Sequence, residues 1–151
     1  MELLPLILGG IGLGLMIGLS GAGSAIGLVI GGSAVIGTIK KKPEAFGGCM
    51  VLSGLPATQG LYGFVAYFMI SPKVTAEMSL FAGTLVFAAG LAVGLVCLIS
   101  AIQQGRVCAA GISAIGSGNN VFGPTMILAA FPEFYAILSL VSAILMSGNI
   151  K

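Results

Sequence analysis

Glu133 is the one acidic residue inside a long apolar run of this chain, the stretch 121–146. The other three, Glu2, Glu44 and Glu77, fall at the start of the chain or between runs. About 20 apolar residues cross a bilayer, and a charge at the centre of such a span costs roughly 2.5–3.5 kcal/mol on insertion scales. A carboxylate kept at that cost handles ions or protons, or pairs with a buried base. Other polar side chains can join it. Thr58, Gln59 and Tyr62 share one helical face of a second run by the i, i+3, i+4 rule. Gln104 sits in a third run. Depth is counted from the nearest polar loop: from Asn120 to Glu133, from Lys42 to Thr58 and Gln59, and from Gly116 back to Gln104. At ~1.5 Å per residue these levels agree within about one turn. A carboxylate, two amides and a hydroxyl at one membrane depth can surround a cation. Each also has a plainer use, Thr58 bonding its own helix and the glutamines tying helices together. Gln103 points roughly 100° away from Gln104 and is the lesser candidate. Arg106 can pair with Glu133, or snorkel to the interface.

The elements that must position these groups follow from composition. Of 151 residues, 58% are hydrophobic and 7% charged, against about 25% charged in soluble domains. The chain is therefore an integral membrane protein. With no histidine and a net charge of +2, nothing favours a zinc site or nucleic acid. Cys49, Cys97 and Cys108 are scattered, and fit buried apolar positions better than disulfides. Apolar segments run over about 3–39, 45–70, 78–115 and 121–148. They predict an all-α protein of four transmembrane helices in two hairpins. Segments one and three exceed a bilayer and are expected to project at the loop end. Pro56 and Pro132 lack an N–H for the carbonyls of Leu52 and Leu128, so strain is expected at both. Irregular backbone in lipid is tolerated only where it is buried or lines a cavity. Glu2 stands where a signal peptide would carry basic residues, so the start reads as a mature helix. Lys40, Lys41, Lys42 and Arg106 lie toward the hairpin loops, with only Lys73 and Lys151 opposite. This bias puts the loops in the cytoplasm and both termini outside.

The chain is also a duplication. Setting position 14 against position 90, and continuing in step without gaps, places Gly14-Leu15 on Gly90-Leu91 and Ser24-Ala25-Ile26 on Ser100-Ala101-Ile102. In the same register Phe46-Gly47 falls on Phe122-Gly123, and Pro56 on Pro132. Two repeats follow, 1–75 and 76–151. Glu133 falls on Ala57, so only the second repeat carries a carboxylate. Gly10, Gly14 and Gly18 recur every fourth residue, as do Gly23, Gly27 and Gly31, and Gly90 and Gly94 repeat the pattern. Such stripes let helix backbones approach in lipid. Two on one helix suggest close packing on more than one side, as in a crowded inner ring of helices. Pairing within a four-helix monomer is the plainer alternative.

Leu55-Pro-Ala-Thr-Gln-Gly-Leu-Tyr-Gly-Phe64, Gln104-Gly-Arg-Val-Cys-Ala-Ala-Gly111 and Pro132-Glu-Phe-Tyr-Ala-Ile-Leu138 closely resemble the rotor proteolipid of V-type ATPases. The nearest likeness is the duplicated K (c-type) subunit of bacterial sodium-pumping enzymes, over essentially the whole chain. The resemblance implies a homo-oligomeric ring in the membrane. It implies a stator membrane subunit that supplies an arginine, and a central-stalk subunit at the cytoplasmic loops. It implies Na+ bound by a backbone carbonyl at Leu55 and by side-chain oxygens at Thr58, Gln59, Gln104 and Glu133. Tyr62 takes the place of a tyrosine that bonds the carboxylate when the site is closed. Two departures are Ala57, where a glycine is common, and an uncharged second loop. Five oxygens with one negative charge suit a hard monovalent cation.

No phosphate loop, hydrolase motif or nucleophile–base pair occurs, so ATP hydrolysis is expected in partner subunits. A proton-carrying rotor proteolipid is the first alternative. A small four-helix cation or drug antiporter is the second, although the absence of Trp and 7% aromatics argue against its aromatic cavity. A purely structural membrane protein is the third.

Overall fold

The computed structural model describes residues 3–150. Glu2, which bears on the start of the chain, and Lys151, counted in the charge bias, lie outside the described residues. All regular structure among the described residues is helical: α1 (Leu4–Ile39), α2 (Phe46–Gly54), α3 (Thr58–Ile70), α4 (Leu80–Gly116) and α5 (Phe122–Ser147). α1, α4 and α5 are each long and apolar enough to cross a membrane. The second predicted helix is interrupted. A 3-10 turn at Leu55–Ala57 joins α2 to α3. The backbone stays in the right-handed helical region across it, from Gly54 through Thr58, so α2 and α3 make a single rod. The predicted segments match these elements to within a few residues at each end.

Pro56 causes the interruption, because it has no N–H to continue the α ladder. The N–H of Leu55 bonds the Leu52 carbonyl and that of Thr58 bonds Leu55, both at i−3. Pro132 behaves differently, since α5 stays α-helical through it. Two side chains of α4 support the backbone there. Ser100 donates to the Pro132 carbonyl at 2.8 Å, and Gln104 donates to the Ala129 carbonyl at 2.8 Å. Neighbouring side chains can steady a proline-weakened membrane helix in this way.

α1 and α4 pack together along most of their length. Glycine makes the approach possible. A Cβ on Gly105 would lie 2.6 Å from the Gly27 carbonyl oxygen, and one on Gly27 would lie 2.7 Å from Pro56 Cβ. Gly27 thus seats both α4 and the 3-10 turn against α1. Gly23 and Gly31 are buried in the same way, against Leu98 and Ser53. Gly10, Gly14 and Gly18 meet nothing within 4 Å. The first stripe therefore has no partner among the described residues, whereas the second is an internal contact.

The core is split in two. One apolar cluster includes Met16, Ala66, Val93, Cys97 and Ala136. The other, nearer the hairpin loops, includes Val35, Cys49, Leu52, Cys108 and Ala129. The polar side chains singled out in the sequence lie between them. The three cysteines are buried and free, as expected.

Gly27→Val is expected to destabilise the chain by ~1–3 kcal/mol or more, because the facing backbone cannot yield. Gly37→Ala has open space around it and is expected to change stability by no more than ~1 kcal/mol. Unfolding in detergent checks both. Equal stability of the Gly27 variant and the parent would remove the close contact from the account.

Candidate ion site

Three elements meet at Glu133. The α2–α3 rod supplies Leu55, Thr58, Gln59 and Tyr62, α4 supplies Ser100 and Gln104, and α5 supplies the carboxylate. Both carboxylate oxygens are bonded. Tyr62 Oη donates to Glu133 Oε1 at 2.7 Å, and Gln104 Nε2 donates to Oε2 at 3.0 Å. Gln59 Nε2 donates to Gln104 Oε1 at 2.9 Å and to Ser100 Oγ at 3.2 Å. Thr58 Oγ1 donates to the Leu55 carbonyl at 3.1 Å and lies 3.3 Å from Gln59 Oε1. The structure thus brings all six predicted residues into one connected cluster.

Burial is graded across the cluster. Gln59 and Gln104 are fully buried, while Leu55, Thr58, Tyr62 and Glu133 are half-buried. No buried side-chain nitrogen or oxygen among the described residues lacks a partner. In a low-dielectric interior that is the condition for such a network to rigidify its surroundings. Cysteine and histidine play no part, and among the described residues no three His, Cys, Asp or Glu side chains group as a metal site. The available donors are oxygens with a single formal charge, a set that suits a hard monovalent cation or a proton.

Two lesser candidates fall away from the cluster. Gln103 is exposed, and Arg106 Nη1 reaches Gln103 Oε1 at 3.4 Å. The alternative of an Arg106–Glu133 pair within the chain is therefore not realised.

The family of the ATP synthase C subunit matches this chain twice, over residues 11–70 and 87–146. The chain belongs to the ATP synthase C-subunit family. Its two matches begin at positions 11 and 87, the same step that sets Gly14 on Gly90. Over 142 residues the chain is 44% identical to the A-type ATP synthase subunit K of Methanocaldococcus jannaschii, covering 94% of this chain and 62% of that protein. Over 108 residues it is 40% identical to the V-type sodium ATPase subunit K of Enterococcus hirae, covering 72% of this chain and 69% of that one. In this member of the C-subunit family the cluster has one residue that the sequence reading did not nominate. Ser100 is buried, accepts from Gln59 and donates to the Pro132 carbonyl. Its signal was present, since it stands four residues before Gln104 on the same helical face.

Proposed function

We propose that this chain is the ion-carrying subunit of a membrane rotor ring, and that it carries Na+ at Glu133. The observation behind this reading is the meeting of one membrane carboxylate with four further oxygen-bearing groups at the Pro56 break. The Leu55 carbonyl, Thr58 hydroxyl, Gln59 and Gln104 amide oxygens and Glu133 are the ligands in this proposal. Tyr62 holds the carboxylate while the site is closed. A bound cation cancels the Glu133 charge, which removes most of the cost of carrying it past lipid. Release needs water and a competing cation, and an arginine on a stator membrane subunit fills that role. A divalent ion would leave net positive charge in the membrane.

The repeats 1–75 and 76–151 form two tandem hairpins, of which only the second carries a carboxylate. One ion per chain follows. The chain is non-catalytic, and partner subunits hydrolyse ATP. Copies of it form the ring, a central-stalk subunit meets the hairpin loops, and lipid covers the outer face. In the cell membrane the Lys40–Lys42 side is cytoplasmic and both termini lie outside. The name of the Enterococcus hirae relative supports sodium in particular.

A proton is the second reading. It is favoured by the way the amides and hydroxyls of the cluster already satisfy one another. Labelling with a hydrophobic carbodiimide separates the two. The reagent is expected to modify Glu133 and no other acidic residue, and millimolar sodium at fixed pH is expected to slow it, with potassium at equal ionic strength as the control. Labelling that follows pH but ignores sodium would establish the proton reading. Labelling elsewhere with Glu133 untouched would remove the site.

A further inference from the structure

α1 supplies none of the proposed ligands, yet it packs against both the α2–α3 rod and α4. Its contacts beside the site fall within one turn. Gly27 seats Gly105, the neighbour of Gln104, and also Pro56, the cause of the break in the rod. Ser24 lies one turn before Gly27 and is buried. Its hydroxyl accepts a hydrogen bond from the backbone N–H of Gly60 at 2.7 Å. Gly60 directly follows Gln59. In a regular α-helix its N–H serves the carbonyl four residues back, here that of Pro56. Ser24 thus offers a second acceptor to the first turn of α3, where the 3-10 turn gives way to the α-helix.

Glycine at position 60 permits this approach. A Cβ there would lie 3.1 Å from Ser24 Oγ and 3.3 Å from Ser24 Cβ, inside the ~3.5–4.0 Å at which carbons pack best. In the second repeat Ser24 and Gly60 correspond to Ser100 and Ala136. There the serine donates to the carbonyl of the proline itself, Pro132. The same serine therefore braces a proline-bearing helix in both repeats, through a different backbone group in each. Ser20, one turn earlier on α1, makes no such bond. Its hydroxyl donates to the Met16 carbonyl of its own helix.

We infer that Ser24 is a positioning residue for the ion site. It holds the first turn of α3 on α1, and α1 holds α4 through Gly27. The Leu55 carbonyl, Thr58 and Gln59 are thereby fixed relative to Gln104, with α1 as their common base. A cation held between the rod and α4 feels slack in that base as longer distances to some of its oxygens. Without the hydroxyl, the Gly60 N–H has only the Pro56 carbonyl to turn to. The turn is then drawn toward regular α geometry, and the Leu55 carbonyl and Thr58 move with it. No buried group is stranded, so the chain still folds. Glu133 keeps its bond from Gln104.

The inference rests on the sodium reading proposed above, and one experiment separates the two. Carbodiimide labelling of Glu133 is followed at fixed pH, with and without sodium, in membranes that hold the complete complex. Ser24→Ala is expected to label at the parental rate without sodium. It is expected to need roughly 2–10-fold more sodium for half protection, the effect of one hydrogen bond. Gly60→Ala, whose new methyl pushes the Ser24 hydroxyl away, is expected to shift protection in the same direction and by a similar factor. The two changes together are expected to shift it no further than either alone, since they break one interaction. Ser20→Ala is expected to match the parent, because that hydroxyl bonds only within α1. Parental sodium protection in Ser24→Ala overturns the inference, and so do shifts that add in the double variant. A changed labelling rate without sodium also overturns it, since Ser24 would then shape the carboxylate itself. Should Ser24→Ala not fold, Gly60→Ala decides alone: the expected shift supports the inference and parental protection overturns it. A parent chain that sodium does not protect overturns the sodium reading, and this inference with it.

Discussion

Glu133→Gln is expected to abolish ion transport by the assembled complex while the chain still folds. The carboxylate is the only formal charge in the cluster, so removing it takes away the electrostatic hold on the cation. Removing one partner of a buried charge pair costs about 3–5 kcal/mol, on the order of 10²–10⁴-fold in ion affinity. The fold is spared for a reason visible in the hydrogen bonds. Gln104 Nε2 can act only as a donor, so the new amide turns its oxygen toward Gln104. Its nitrogen then faces Tyr62, whose hydroxyl can accept as readily as it donates. The shape is unchanged, and a group that is costly to bury is gone. The measurement is ion uptake into vesicles holding the complete complex, with particle mass as the control. Transport at the parental rate in a correctly assembled complex would remove Glu133 from the carrier role. A variant that fails to fold would instead make the carboxylate a structural element.

Much of this site was legible because a membrane penalises polar groups. Each polar side chain in an apolar run is costly enough to need a reason, and Glu133, Gln104, Gln59 and Thr58 stood out on that ground. Counting residues from the loops set their depth, because helical rise is regular, and the three long helices hold their predicted bounds. Backbone detail was less accessible. Two prolines with the same missing N–H gave a 3-10 turn at Pro56 and a continuous α-helix at Pro132. At Pro132 the side chains of Ser100 and Gln104 reach across from α4 to the Pro132 and Ala129 carbonyls, and contacts between helices are not a property of local sequence. Ser100 escaped notice because a lone serine in a membrane helix satisfies itself easily and costs little. The glycine stripes show the same limit. Each step of four residues overshoots a full helical turn by about 40°, and the longer step from Gly18 to Gly23 turns by about 140° more, so Gly10-Gly14-Gly18 and Gly23-Gly27-Gly31 lie on different faces. Sequence marks both as surfaces for close approach, and only the packing tells which one the chain itself covers.

Gln104→Leu is expected to do the next most damage, and to do it to ion selectivity more than to the fold. Gln104 is the hub of the cluster. Its amide nitrogen holds Glu133 and the Ala129 carbonyl, and its oxygen takes the bond from Gln59. Leucine fills nearly the same volume, so no large cavity opens. The stranded groups have other resources, since Gln59 keeps Ser100 and Glu133 keeps Tyr62. The losses fall on the bound ion, which forfeits one oxygen ligand and the donor that aims the carboxylate. A hydrogen bond to a charged group contributes about 1.5–3 kcal/mol, so sodium affinity is expected to drop on the order of 10–100-fold. Protonation of Glu133 needs only one partner, and Tyr62 remains. Carbodiimide labelling of the variant is therefore expected to stay pH-dependent while needing roughly 10–100-fold more sodium for the same protection. Unchanged protection would strike Gln104 from the ligand set. Loss of labelling together with loss of protection would mean that Gln104 serves to hold α5 in place, and that the Glu133 site collapses without it.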